Sequence, residues 1–497
     1  MINSPFIMLD DKNSAVPLYR QIYEAIRQSI LGGKFAARTR LPATRLLAQQ
    51  LGVSRMTVVN AYEQLLAEGY LEGKTGAGTF VAAQLPEEML RMPASDKNKG
   101  AVISGSRHFK LSQYGQRLAK FKINAVRSQP ITKPIPFQNG LTAVDKFPFE
   151  IWSKIAQRFY RQAPHKILGY ADPAGYRPLR EAIAAHLASA RGVRCDAEQV
   201  IITNGAQQAL DLVSRLLLNR EDRVLIEDPC YPEARDVFSS VGAKVIPVPV
   251  DEEGLDLTAV AEQNQTTARL IYVTPSHQYP LGVTMSLSRR LKLLEWANTN
   301  NALIIEDDYN SEFRYAGRPL ASLQGLDTHG CVIYVGTFSK TIFPALRLGC
   351  AIVPHDLVEP FITARVLSDW HSPLFEQAIL ADFIAEGHFA RHIRRMRALY
   401  EDRQQILIEE AEKKLAGLLE VKKADAGMHL IGWLPETVDD QIIAEKADQH
   451  QLILQPVSAY SVRNLTRGGL LLGYTAFNEK QIKQGIEKLA IILRGKF

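Results

Sequence analysis

The 497-residue chain contains only four cysteines, Cys195, Cys230, Cys331 and Cys350, widely spaced and with no Cys-x-x-Cys pair. That pattern argues against a disulfide framework and a thiolate zinc site, and it suits a reducing compartment. No run of 18 apolar residues occurs, so no membrane-spanning helix is expected. The start, Met1-Ile-Asn-Ser-Pro-Phe-Ile-Met-Leu-Asp10, has neither the charged head nor the cleavage site of a secretory signal, so a cytoplasmic protein is expected. No internal repeat is visible. Charge of one sign is not in large excess: the net value is +6, mildly basic and compatible with a polyanionic partner without being diagnostic of one. With 46% hydrophobic and 23% charged residues, the composition is that of ordinary globular protein. The length exceeds what one core usually organises and fits a short unit followed by a large one.

What is present is more specific. Lys340 lies in Tyr334-Val-Gly-Thr-Phe-Ser-Lys-Thr-Ile-Phe-Pro-Ala-Leu-Arg-Leu-Gly349, 33 residues after Asp307, which follows the apolar run Ala302-Leu-Ile-Ile305. This pairing meets the needs of a pyridoxal phosphate (PLP) site. An aldehyde cofactor is held as a Schiff base by a lysine that loses its proton near neutrality, and a buried carboxylate keeps the pyridine nitrogen protonated. A phosphate dianion needs hydroxyls, a guanidinium and the N–H groups of a helix start. Thr337, Ser339 and Arg347 supply the first two. Asn204-Gly-Ala-Gln-Gln-Ala-Leu210, between a strand-like run and an amphipathic helix, supplies the third. Each piece alone is common; their order across alternating strand and helix patterns makes the set specific.

The first eighty residues follow a different pattern. Leu18, Ile22, Ala25, Ile26 and Ile30 form a helical stripe between Pro17 and Gly32-Gly33. A short helix from about Thr44 stops at Gly52, and Ser54 caps a third, Arg55 to Glu68. The tight Leu-Gly-Val-Ser turn joining the last two is a helix-turn-helix signature. Val58, Ala61, Tyr62 and Leu65 point inward. Ser54, Arg55 and Thr57 occupy the turn that meets a major groove, and the fork of Arg55 suits a guanine edge. Tyr70 to Val81 is a hairpin with a glycine-rich tip at Lys74 to Gly78, a wing. Residues 84–134, proline-punctuated and rich in Lys and Arg, are expected to be a basic flexible linker. Strands are expected near 200–203, 223–227, 244–248, 269–273, 302–306, 332–335 and 348–353, with helices after Pro354, such as 375–386 and 390–410, and a strand-rich tail.

Residues from about 135 onward resemble fold-type I, aspartate-aminotransferase-like PLP domains, with a large subdomain to about 355 and a small one after it. The whole chain resembles the MocR/GabR regulators, in which a GntR-type winged helix (here 12–83) is fused to such an α/β domain. The resemblance implies Lys340 as internal aldimine, Asp307 on the pyridine nitrogen, Tyr309 on the phenolic oxygen and Tyr231 stacked on the ring. It places Ala206, Gln207, Thr337, Ser339 and Arg347 at the phosphate, together with Tyr170 from a neighbouring subunit of a homodimer. Arg45, Ser54, Arg55, Thr57, Gly76 and Gly78 would touch operator DNA. Where the enzymes carry Asn-Pro-x-Asn-Pro-Thr-Gly, this chain has Thr274-Pro-Ser-His-Gln-Tyr-Pro-Leu-Gly282, leaving His277 and Gln278 as alternatives for the ring.

Arg235 and Arg467, with Arg463 a rival to the latter, resemble the arginines that grip ligand carboxylates. They lead one to expect an amine with an anionic far end, such as an amino acid, GABA or taurine. The function this implies is a PLP-dependent regulator that senses an amine effector through Lys340. The alternatives are an active aminotransferase with a DNA-binding appendage and a regulator that senses PLP itself.

Overall fold

The computed structural model describes residues 16–74, 77–86, 110–121, 134–162, 165–262, 267–317 and 320–495, together with residues 7 and 9. The chain divides into two compact units, Met1–Phe109 and Lys110–Phe497.

In the first unit three helices form because their apolar residues recur at helical spacing and their ends are punctuated. Helix α1 (Leu18–Leu31) buries Ile22, Tyr23, Ile26 and Ile30. Helix α2 (Thr44–Leu51) ends where Gly52 turns left-handed at φ +67°. Helix α3 (Arg55–Ala67) starts at Ser54, whose Oγ accepts from Thr57 N at 3.1 Å. Its buried face is Val58, Ala61, Tyr62 and Leu65. Strands β1 (Leu71–Lys74) and β2 (Gly78–Val81) form the antiparallel wing, Leu71 opposite Val81 and Lys74 opposite Gly78. All these elements enclose one hydrophobic core.

The second unit is built on an eight-stranded sheet: β3 (Val200–Thr203), β4 (Arg223–Asp228), β5 (Lys244–Asp251), β6 (Gly254–Leu255), β7 (Leu270–Val273), β8 (Leu303–Asp308), β9 (Val332–Thr337) and β10 (Gly349–Ile352). The order is β3-β10-β9-β8-β7-β4-β5-β6. Strands β9, β8, β7, β4 and β5 run parallel, and β10 is antiparallel to both its neighbours. Strands β7 and β10, and even β3 at the edge, are buried along their whole length, as expected of a sheet covered on both faces. Helices such as α4 (Arg177–Arg191), α5 (Ala206–Leu217), α6 (Pro232–Val241) and α7 (Leu287–Thr299) supply the crossovers and cover.

Beyond residue 354 come α8 (His355–Asp369), α9 (Leu374–Ala385) and the long α10 (His388–Leu415). The expected strand-rich tail is corrected: a small antiparallel sheet, β11 (Glu420–Val421), β12 (His429–Trp433), β13 (Gln455–Pro456) and β14 (Gly469–Gly473), is interleaved with α11 (Asp440–Gln449) and α12 (Glu479–Leu493). Its strands are too short to cover both faces themselves, and Ile482, Ile486 and Leu489 of α12 join their core. The stretch expected to be linker also departs from a plain tether. Residues 113–118 form a helical turn capped by Ser112, and Arg117 Nε donates to Ser240 O at 2.7 Å on α6.

Candidate cofactor site and DNA-binding surface

The C-terminal ends of the parallel strands open into a cavity of about 440 Å³, at the edge where an open α/β sheet binds ligands. Lys340 reaches it from the turn after β9, and its Nζ donates to Gly140 O at 2.8 Å. Gly140 is left-handed at φ +80°, which favours glycine, and a Cβ there would lie 3.0 Å from that Nζ, so that the lysine amine would have to shift. Asp307, near the end of β8, is buried. Its Oδ2 accepts from Tyr272 Oη at 2.7 Å, while Oδ1 has no partner. Burial pushes its carboxyl up to about 7, against the pull of the Tyr272 bond. A buried carboxylate oxygen with an open acceptor position, in a cavity that also holds a lysine amine, fits the protonated nitrogen of a pyridine ring.

The other end of the cavity is shaped for an anion. Gly205, at φ +93°, precedes α5, and Ala206 and Gln207 open that helix with N–H groups that have no intrahelical acceptor. Arg347, left-handed at φ +53°, donates from Nη2 to Asn204 O at 2.7 Å. A Cβ on Gly205 would come within 3.3 Å of that guanidinium. Thr337 and Ser339 complete this end, Ser339 N donating to Thr337 Oγ1 at 3.2 Å. These groups fit a phosphate. PLP, when bound, would thus be held by Lys340 and Asp307 at its ring and by this cluster at its phosphate.

Tyr231 and Tyr309 also line the cavity. Tyr231 sits at the start of α6, its ring edge-on to Tyr279 with centroids 5.9 Å apart. The hydroxyl of Tyr309 is buried, with no hydrogen-bond partner of good geometry.

Neither alternative from the 274–282 loop faces the cavity. His277 is buried under Gly427, where an added Cβ would fall 2.2 Å from Nε2, and its surroundings hold it neutral, with its pKa lowered to about 3 by burial. Gln278 Nε2 donates to Pro229 O at 2.8 Å and to Glu227 Oε2 at 3.3 Å, while its Oε1 accepts from Leu281 N. Gln278 therefore shapes the loop. The loop residues that reach the cavity are Thr274 and Tyr279, the hydroxyl of Tyr279 accepting from Asn139 Nδ2 at 3.1 Å. Asn139, Gly140, His429 and Gln455 were missed in the sequence because nothing local marks them as cavity wall.

The expected carboxylate-binding arginines are also placed elsewhere. Arg235 does not line the cavity; its Nε lies 3.9 Å from Asp236. Arg467 is spent on the small sheet, donating to Leu434 O at 2.6 Å and Glu420 at 2.7 Å. Arg463 donates to Pro247 O at 2.7 Å. Tyr170 is 88% exposed, against Trp370 with centroids 5.5 Å apart, and does not line its own chain's cavity.

In the first unit, Arg45 on α2 and Ser54 and Arg55 at the start of α3 are exposed, and Thr57 Oγ1 lies 2.8 Å from Ser54 Oγ. The two helices thus present polar groups outward from a turn fixed by the Ser54 cap. Gly78, at φ +109°, lies against Arg40, which pairs with Phe80 and was not singled out in the sequence. Gly76 lies outside the described residues. Among the described residues no helix is long and apolar enough to cross a membrane.

Comparison with known proteins agrees with both halves. Residues 138–489 match the model of aminotransferases of class I and II, and residues 18–81 match the gntR family of bacterial regulatory proteins. The chain is 40% identical over 481 residues to a probable rhizopine catabolism regulatory protein, MocR, of Rhizobium meliloti, covering 96% of this chain and 94% of that protein. It is 30% identical to the pyridoxine biosynthesis transcriptional regulator PdxR of Corynebacterium glutamicum, over 93% of both. Kynurenine aminotransferase of Pyrococcus horikoshii superposes with a TM-score of 0.72 at 28% identity, over 80% of this chain and all of that one. With a gntR-type helix-turn-helix, a class I/II aminotransferase domain and end-to-end similarity to such regulators, the chain belongs to the MocR-like family of transcriptional regulators.

Proposed function

We propose that the protein is a PLP-dependent, DNA-binding regulator whose large unit senses a small primary amine. The observation that carries this reading is the meeting of Lys340, the open acceptor of Asp307 and the Arg347 phosphate cluster in one cavity, in a chain that also carries a winged helix. When bound, the cofactor supplies an aldehyde carbon that exchanges one primary amine for another, the two protons of the incoming nitrogen passing to the departing one.

The protein's own groups set the terms of that exchange. Asp307 holds charge against the ring nitrogen, Gly140 O accepts a hydrogen bond from the Lys340 amine, and Tyr231 and Tyr309 wall the ring. Displacement of Lys340 gives the large unit two states with different affinities for the effector, and any difference in how those states present the winged helices is coupling to the operator. The protein acts as a cytoplasmic homodimer in this reading, with exposed Tyr170 completing a neighbour's phosphate site and Arg55 reading a base edge.

The test is reduction of the PLP-loaded protein with borohydride, followed by peptide mapping. The cofactor adduct is expected on Lys340, with the visible band lost in Lys340→Ala. An adduct on another lysine, or none, overturns the reading.

A further inference from the structure

Apart from the phosphate cluster and two carboxylates, the polar groups of the cavity wall are uncharged and hydrogen-bonding. Asn139 Nδ2 donates to Tyr279 Oη at 3.1 Å, and buried Tyr460, which does not itself line the cavity, links two wall residues: its hydroxyl lies 3.4 Å from that of Tyr279 and donates to Gln455 Oε1 at 2.7 Å. Met428 and His429 close this wall. His429 Nε2 lies 2.8 Å from Pro280 O, and its burial lowers it to about 4, so that it is uncharged at neutral pH. Among the described lining residues the only lysine or arginine side chains are Lys340, the reacting amine, and Arg347, already placed at the phosphate end. The other charges on the wall, Asp307 and Glu233, are carboxylates.

From this wall we infer that the effector is a primary amine whose far end is neutral and hydrogen-bonding, of the amino-alcohol or amino-polyol class, and not an amino acid, ω-amino acid or aminosulfonate. The inference rests on the amine-sensing reading above. The physical reason is the cost of a second anion. A carboxylate held next to the chain of Asn139, Tyr279 and Gln455 gives up water for neutral partners, with no guanidinium to offset the loss and a cofactor phosphate in the same cavity. A hydroxyl in the same place both donates and accepts, which suits a wall of amides and phenols. An unpaired buried charge of this kind is worth roughly a 100-fold loss of affinity.

The experiment is a spectral titration of the full-length PLP-loaded protein with matched pairs: 4-amino-1-butanol against 4-aminobutanoate, and trans-4-aminocyclohexanol against trans-4-aminocyclohexanecarboxylate, with taurine and L-alanine alongside. Binding heats are measured calorimetrically on the same samples. The alcohols are expected to shift the visible band and saturate at about 100-fold lower concentration than their carboxylate partners. Gln455→Arg, which places a guanidinium on the neutral wall, is expected to narrow or reverse that preference. Equal or better response to the carboxylates in the natural sequence overturns the inference and leaves amine sensing intact, because a cation from outside the described residues would then complete the cavity. A protein that carries the PLP band but responds to no amine at any concentration overturns amine sensing itself, and the inference with it.

Discussion

The carboxyl of Asp307 makes a prediction of unusual sign. Without cofactor it is buried, accepts one hydrogen bond from Tyr272, and is raised from 3.8 to about 7. The folded state then holds a proton that the unfolded chain gives up near pH 4, so stability falls as pH rises through the window from about 4 to about 7. A displacement of about three units corresponds to about 4 kcal/mol once pH exceeds 7. Asp307→Asn keeps the acceptor for Tyr272 and cannot ionise. The cofactor-free variant is therefore expected to be more stable than the cofactor-free natural protein at pH 8, by up to about 4 kcal/mol, with the advantage vanishing near pH 4. With PLP the order reverses: the natural protein gains a carboxylate–pyridinium pair, and the variant does not. The assay is urea unfolding of both proteins at pH 4.5, 6 and 8, with and without PLP. A cofactor-free natural protein whose stability does not fall between pH 4.5 and 8, or a variant that gains nothing at pH 8, would refute the reasoning.

Four further outcomes follow from local geometry. Gly140→Ala adds a methyl 3.0 Å from Lys340 Nζ at a left-handed residue, and should slow or abolish appearance of the PLP band. Gly330→Ala, at φ +71° with nothing within 4 Å, should cost only about 1 kcal/mol of stability and leave the band alone. Ser54→Ala removes the cap on Thr57 N and should destabilise the winged unit by about 1 kcal/mol, read as faster amide exchange in α3. Arg55→Ala should weaken operator binding by about 1–3 kcal/mol in fluorescence anisotropy while leaving PLP uptake unchanged.

The parts of this molecule that were legible in the sequence are those encoded locally. The Ser54 cap, the Gly52 stop and the inward face of Val58, Ala61, Tyr62 and Leu65 are set within a few residues of each other, and the structure shows each of them. The same holds for the sheet: β3, β4 and β7 to β10 begin and end within about two residues of the apolar runs, while β5 extends about three residues past its run, to Asp251. What was not legible depends on where a side chain points after distant segments meet. Nothing near Arg467 announces Glu420 and Leu434 as its partners, 47 and 33 residues away. Gln278 was one of two alternatives, with His277, for a ring contact, but it turns to Glu227 and Pro229, about 50 residues away in sequence. Asn139, Met428, His429 and Gln455 form one wall only because β12 and β13 fold back over residues 138–141. The stretch around Arg117 has a linker's composition, yet a single guanidinium finds a carbonyl on α6 and a helical turn forms with it.

The central claim is that the bond made by Lys340 is read out by DNA binding. It is tested most directly by measuring operator affinity of the PLP-loaded full-length protein with and without a saturating amine, beside Lys340→Ala treated identically. A change in affinity is expected on adding amine to the natural protein, and no change in the variant. The same amine-dependent change in both proteins, or none in a natural protein whose visible band has shifted, would contradict it.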